Sequence, residues 1–291
     1  AVRKAIEAHP KSKGKCHQRI VKALDAHEIL LNSGIKTIDK NQIERQYSLD
    51  GLNVNVDIKS VLSQLEKFDE FLRNPRPETI INMNLLFHGP PGTGKSELAR
   101  YIGQCLSREI ISKRVSDIQS AYVGESEQNI RDAFEEAERE DAVLIIDEAD
   151  SLLFSRDRAV RSWEISFTNE FLTRMERFNG ILICTTNRLK DLDQASLRRF
   201  QHKIGFDYVD SNGNIIFYDK LLKSLTNSVL DPESEAILKG IANLAPGDFK
   251  TVRDRFAFYP KEGLTPGILI EALKNEAEVK KVFNKGTSIG F

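Results

Sequence analysis

The run Gly89-Pro90-Pro91-Gly92-Thr93-Gly94-Lys95-Ser96 sets glycines, a lysine and a hydroxyl at the spacing G-x-x-x-x-G-K-S. Glycines let backbone N–H groups turn toward phosphate oxygens, and a helix starting at the lysine adds partial positive charge. Lys95 is expected to reach the outer phosphates of a nucleoside triphosphate, with the Ser96 hydroxyl on Mg2+. Asp147 and Glu148 close the apolar run Val143-Leu144-Ile145-Ile146. Such a pair divides two tasks. Asp147 would hold Mg2+, directly or through water, and Glu148 would polarise the attacking water as general base. Asp150 reads as structural. Thr185-Thr186-Asn187 ends a further apolar run. If that strand lies beside the one ending in Asp147, the Asn187 amide faces the terminal phosphate and orients the water. Arg198 and Arg199 are useful only where they meet charge developing on a transferring phosphoryl group, commonly one held by a neighbouring subunit.

These residues need a scaffold, and the pattern around them supplies one. Helical periodicity over 56–72 ends at the breaker Asn74-Pro75-Arg76-Pro77. Short apolar runs at 84–88, 110–114, 142–146, 181–185 and 203–206 read as buried strands. Between them lie a helix from the glycine-rich turn to about 107 and an acidic one at 125–140 with Ile130, Ala133, Phe134 and Ala137 on one face. A third carries Trp163, Phe167, Phe171 and Met175. Strands alternating with helices predict a mostly parallel sheet covered on both faces. After Val209 the strand pattern stops and three or four helices are expected. Two are announced by Asp231-Pro232 and Thr265-Pro266, and a third is read as capped by Asp248. The organisation read from this is an arm and linker at 1–47, an α/β part at 48–209 and a helical part at 210–291.

Composition narrows the function classes. The chain has 291 residues, 42 Lys+Arg against 43 Asp+Glu, a net charge of −1 and 40% hydrophobic residues. That is enough apolar material for real cores, and the charge disfavours nucleic acid as the client. Cys16, Cys105 and Cys184 lack CxxC spacing and read as reduced thiols of a cytoplasmic protein. No run suits an integral membrane segment or a signal peptide, and the chain starts at Ala1, as a processed or excised piece would. Residues 1–22 are strongly basic and read either as a solvated linker or as an anion- or partner-binding arm. A helix is expected over 18–32.

Taken together, GPPGTGKS at 89–96, LIIDEAD at 144–150, TTN at 185–187 and LDQASLRRF at 192–200 resemble the AAA ATPase family within the AAA+ superfamily, over about residues 48–285. The resemblance implies a parallel five-stranded sheet of the P-loop (ASCE) type flanked by helices and followed by a small all-α lid. It implies ATP and Mg2+ at the junction, hydrolysis of ATP to ADP and phosphate, and a homo-oligomeric ring, usually a hexamer. By the same resemblance Asp50, Gly51 and Leu52 lie against adenine. Glu97 and Gly247, the latter in Ala245-Pro246-Gly247-Asp248, complete the ATP contacts of 89–96. Arg199 matches the finger that acts in trans, with Arg198 beside it. Where the family commonly has a second arginine three residues on, this chain has His202, and Ser196 is an additional residue before the pair. The family lacks the lid arginine of other AAA+ groups, and Lys250 and Arg253 are the nearby cations.

Tyr122, Val123 and Gly124 match the aromatic–aliphatic–Gly triplet that lines the central pore and grips polypeptide. A flat ring grips by area rather than by sequence. Arg156, Asp157 and Arg158 read as a second pore loop or a solvated charged loop. The implied function is a protein-remodelling motor acting on protein substrates, with an adaptor or protease as a further partner. The alternatives are a loader of nucleic-acid complexes and an ATP-gated assembly scaffold. The complete Asp147–Glu148 pair weighs against the scaffold.

Overall fold

A computed structural model describes residues 48–73, 82–120, 122, 124–154 and 162–286. The basic arm, the helix expected over 18–32, Cys16, the breaker at 74–77, Val123 and the loop bearing Arg156 and Arg158 lie outside the described residues.

Parallel strands buried on both faces read as unbroken apolar runs. β2 (Met83–His88), β4 (Val143–Asp147) and β5 (Ile181–Thr186) are of this kind, and Leu85, Leu86, Val143, Leu144, Leu182 and Ile183 are fully buried. With β3 (Ile110–Arg114) and β6 (His202–Asp207) they make the five expected strands. The sheet has a sixth, β1 (Asn53–Val54), which pairs antiparallel with β6 and was not expected. The order is β1-β6-β2-β5-β4-β3. All other pairings are parallel. β5 therefore stands between the strand that delivers the phosphate loop and the strand that delivers Asp147.

Helices α1 (Ile58–Arg73), α2 (Lys95–Cys105), α3 (Val115–Ile118), α4 (Glu125–Arg139), α5 (Ser162–Arg177) and α6 (Gln194–Leu197) accompany the sheet. α4 and α5 are held to each other and to the sheet by aromatic packing. The Phe134 ring meets Phe178 edge-on at 5.2 Å and Phe171 at 5.7 Å, all within the core that includes Leu144 and Leu182. Burying each such ring is worth roughly 1.5–3 kcal/mol.

Beyond β6 come α7 (Ser211–Leu221), α8 (Pro232–Lys239), α9 (Pro246–Phe256) and α10 (Pro266–Gly286). They surround a second core of Phe217, Tyr218, Leu238, Phe249, Val252, Leu269 and Leu273. Asp231 caps α8 as read, its carboxylate accepting the Ser234 N–H at 2.9 Å. α9 differs from the reading. Pro246 is its first residue, so Ala245 is the N-cap and Asp248 sits one turn inside. The Asp248 carboxylate reaches back to the Ala245 N–H at 2.7 Å and pairs with Lys280 of α10. Lys280 also donates to the Asn243 carbonyl at 3.3 Å, so α10 anchors the start of α9.

Candidate functional site

The carboxyl ends of the parallel strands converge where the sequence reading wants a triphosphate. Gly89 leaves β2 at φ +141°, and a Cβ there would lie 2.1 Å from the Phe206 carbonyl oxygen, so only glycine fits. The loop turns back on itself, with the Thr93 hydroxyl donating to the Pro90 carbonyl at 2.8 Å. Lys95 is buried, and its ammonium donates to the carbonyls of Gly89 at 2.8 Å and Pro90 at 2.7 Å. Burial outweighs the nearby Asp147 and Asp150 and lowers its pKa to about 8. His88, half-buried and beside that ammonium, is held below the usual imidazole range, mainly by burial. Glu97 lies on α2 in an ion pair with Arg100 at 3.1 Å.

Ser96 and Asp147, from different elements, meet at one point, the Ser96 hydroxyl donating to Asp147 Oδ1 at 2.9 Å. These are the hard oxygens that Mg2+ takes. With Mg–O bonds of about 2.0–2.1 Å, adjacent ligands of an octahedral ion stand about 2.9 Å apart. The donor set and its spacing thus fit the ion that the motif implies. Glu148 follows at φ +57°, and its N–H donates to the Thr185 hydroxyl at 3.1 Å. Thr185 donates in turn to Asp147, and Thr186 to Asp150. The sequence places both threonines in the Thr185-Thr186-Asn187 run but assigns a role there to Asn187 alone. Their signal is a hydroxyl in each of the last two positions of an otherwise apolar strand.

Asn187 is exposed and follows Thr186, whose carbonyl accepts the Gly89 N–H at 3.3 Å. β4 and β5 are neighbours, which was the condition placed on its role. Gly247 at the start of α9 donates its N–H to the Gly92 carbonyl at 3.0 Å. A Cβ on Gly247 would stand 3.2 Å from Gly92 Cα, so the helical part lies directly on the phosphate loop. Asp50, Gly51 and Leu52 form a short turn whose buried Gly51 packs against the Phe217 ring of α7. Tyr122 is 77% exposed in the turn before α4, and Gly124 caps that helix at φ +84°.

Arg198 and Arg199 do not join this group. Both follow α6 and precede β6, and the Arg199 carbonyl accepts the Asn84 amide at 3.1 Å, at the start of β2. They therefore sit at the amino ends of the parallel strands, a strand length away from the loop that β2 delivers, at about 3.3 Å per residue. The Arg199 guanidinium pairs with Glu176 of α5 at 2.6 Å and donates to the Ala195 carbonyl at 2.7 Å. Arg198 is exposed and, among the described residues, has no side-chain partner.

Residues 85–208, which span β2 to β6 and every loop just described, match the ATPase family associated with various cellular activities (AAA). By that match, residues 85–208 resemble an AAA domain. Among its relatives, Spastin of Ixodes scapularis is 34% identical over 188 residues, 60% of this chain and 28% of that protein. Spastin of Drosophila simulans is 30% identical over 199 residues, 64% of this chain and 26% of that protein. The chain thus spans about a quarter of the length of the curated relatives it matches. The matched residues hold a phosphate loop, a carboxylate pair and a polar strand end between them. Among the described residues, no helix is long and apolar enough to cross a membrane.

Proposed function

We propose that the chain hydrolyses ATP and uses the cycle to remodel proteins as a ring of its own copies, a hexamer by family habit. The observation that carries this is the split of the machinery between the two ends of one sheet. Lys95, Ser96, Asp147, Glu148 and Asn187 gather at the carboxyl ends, whereas Arg198 and Arg199 stand at the amino ends. An arginine that lies a strand length from its own phosphate loop is placed to serve the nucleotide of another copy rather than its own. Such an arginine is worth roughly 10³–10⁵ in rate.

Within one site, Lys95 would release its own loop carbonyls to bind phosphate, and Asp50, Gly51, Leu52 and Gly247 would line the nucleotide's remaining faces. Ser96 and Asp147 would hold Mg2+, which when bound neutralises phosphate charge. Glu148 would take a proton from the attacking water, and Asn187 would orient that water. Tyr122 supports protein as the client, because a large ring left exposed on a turn offers area for gripping an extended chain. The grip would involve Val123 and Gly124, with ATP binding and release moving the turn.

The experiment compares Tyr122→Ala with the parent in two assays. ATP turnover is expected to stay within about threefold while unfolding of a tagged model protein falls at least tenfold. Unchanged unfolding would remove the threading claim.

A further inference from the structure

The chain leaves β4 by a costly route. Glu148 has φ +57° and ψ +45°, the left-handed region that side chains with a Cβ rarely adopt. Such a conformation persists only where its surroundings over-determine it, and it clusters at working sites. Here one of the groups that hold it is a buried hydroxyl. Thr185 Oγ1 accepts the Glu148 N–H at 3.1 Å and donates its own proton to Asp147 Oδ1, the same oxygen that Ser96 reaches from α2. Thr185 is 2% exposed, so neither bond competes with bulk water. Thr186 braces the next stretch in the same manner, bonding Asp150 and accepting the Arg188 N–H at 2.9 Å.

We propose that Thr185 is a positioning residue for hydrolysis, fixing the Asp147 carboxylate and the backbone of the base Glu148 in one register across β4 and β5. The inference rests on the ATPase reading above. A serine keeps the hydroxyl. A valine keeps the shape but takes from the Glu148 N–H its hydroxyl acceptor and leaves Asp147 Oδ1 with the Ser96 hydroxyl but not that of Thr185.

The test uses the whole chain with Thr185→Val, Thr185→Ser and Thr185→Ala, each followed by thermal melting, turnover and binding of a fluorescent ATP analogue with and without Mg2+. Thr185→Val is expected to bind the analogue without Mg2+ within about threefold of the parent and to lose at least tenfold in kcat. It should also lose most of the gain in affinity that Mg2+ brings. Thr185→Ser should keep both kcat and the Mg2+ gain within about threefold. Parent-like turnover in Thr185→Val would overturn the proposal, as would equal losses in Val and Ser, which would assign the effect to volume. If the valine variant does not fold, Ser against Ala decides by the same criteria. A parent without turnover would count against the ATPase reading alone, and the Mg2+ gain in binding would still decide the role of Thr185.

Discussion

Lys95 carries its charge at a cost, because burial favours the neutral amine more than its loop carbonyls and the nearby Asp147 and Asp150 favour the ammonium. An incoming phosphate supplies an opposite charge and raises the pKa again. Below a pH of about 8 the ammonium already exists, and binding takes up no proton on this group. Above that value each binding event must protonate Lys95, so ATP affinity should fall by up to about tenfold per pH unit. Titration calorimetry from pH 7 to 9.5, in buffers of different ionisation enthalpy, reads both the fall and the proton uptake. Lys95→Arg should flatten the profile, since guanidinium stays charged throughout. A flat profile in the parent above pH 8 would contradict the assignment. The motif residues around Lys95 are legible in sequence because phosphate chemistry restricts both residue type and spacing. Thr185 is not. A terminal hydroxyl marks it in the sequence, but the partners it reaches follow from the pairing of β5 with β4.

At the scale of elements, the lid reaches the phosphate loop through the start of α9, and that start is anchored by α10. Asp248 is buried, holds the Ala245 N–H and pairs with Lys280. Lys280→Met leaves that carboxylate without its cation, a loss expected to cost about 1–3 kcal/mol. Urea unfolding should show it as a lower midpoint with an unchanged slope. An unchanged midpoint would mean that the pair is idle. The same segment shows where sequence reading stops. Ala245-Pro246-Gly247-Asp248 offers both an aspartate and a proline as a helix start, and the proline decides, placing Asp248 inside the first turn. The five parallel strands are legible because burial on both faces leaves them unbroken apolar runs. β1 is not, being two residues long, half polar and defined only by its pairing with Phe206 and Asp207.

At the scale of the molecule, the proposed ring rests on one chain placing its phosphate loop and its arginine pair at opposite ends of one sheet. Both can be read as motifs, but their separation depends on strand direction and order. Asn84 at the start of β2 touches the Arg199 backbone, while Gly89 just past its end opens the phosphate loop. The proposed ring would bring the amino-end arginines of one copy to the carboxyl-end phosphates of the next, a head-to-tail contact that closes by rotation. The direct measurement mixes two inactive variants of the full chain, Lys95→Ala and the double variant Arg198→Ala with Arg199→Ala, and follows ATP turnover. A shared site predicts that each variant alone is inactive and that an equal mixture recovers up to about a quarter of parental activity, from sites pairing an intact loop with a neighbour's intact arginines. A mixture that stays as inactive as its components, while gel filtration shows that mixed rings have formed, would contradict the account.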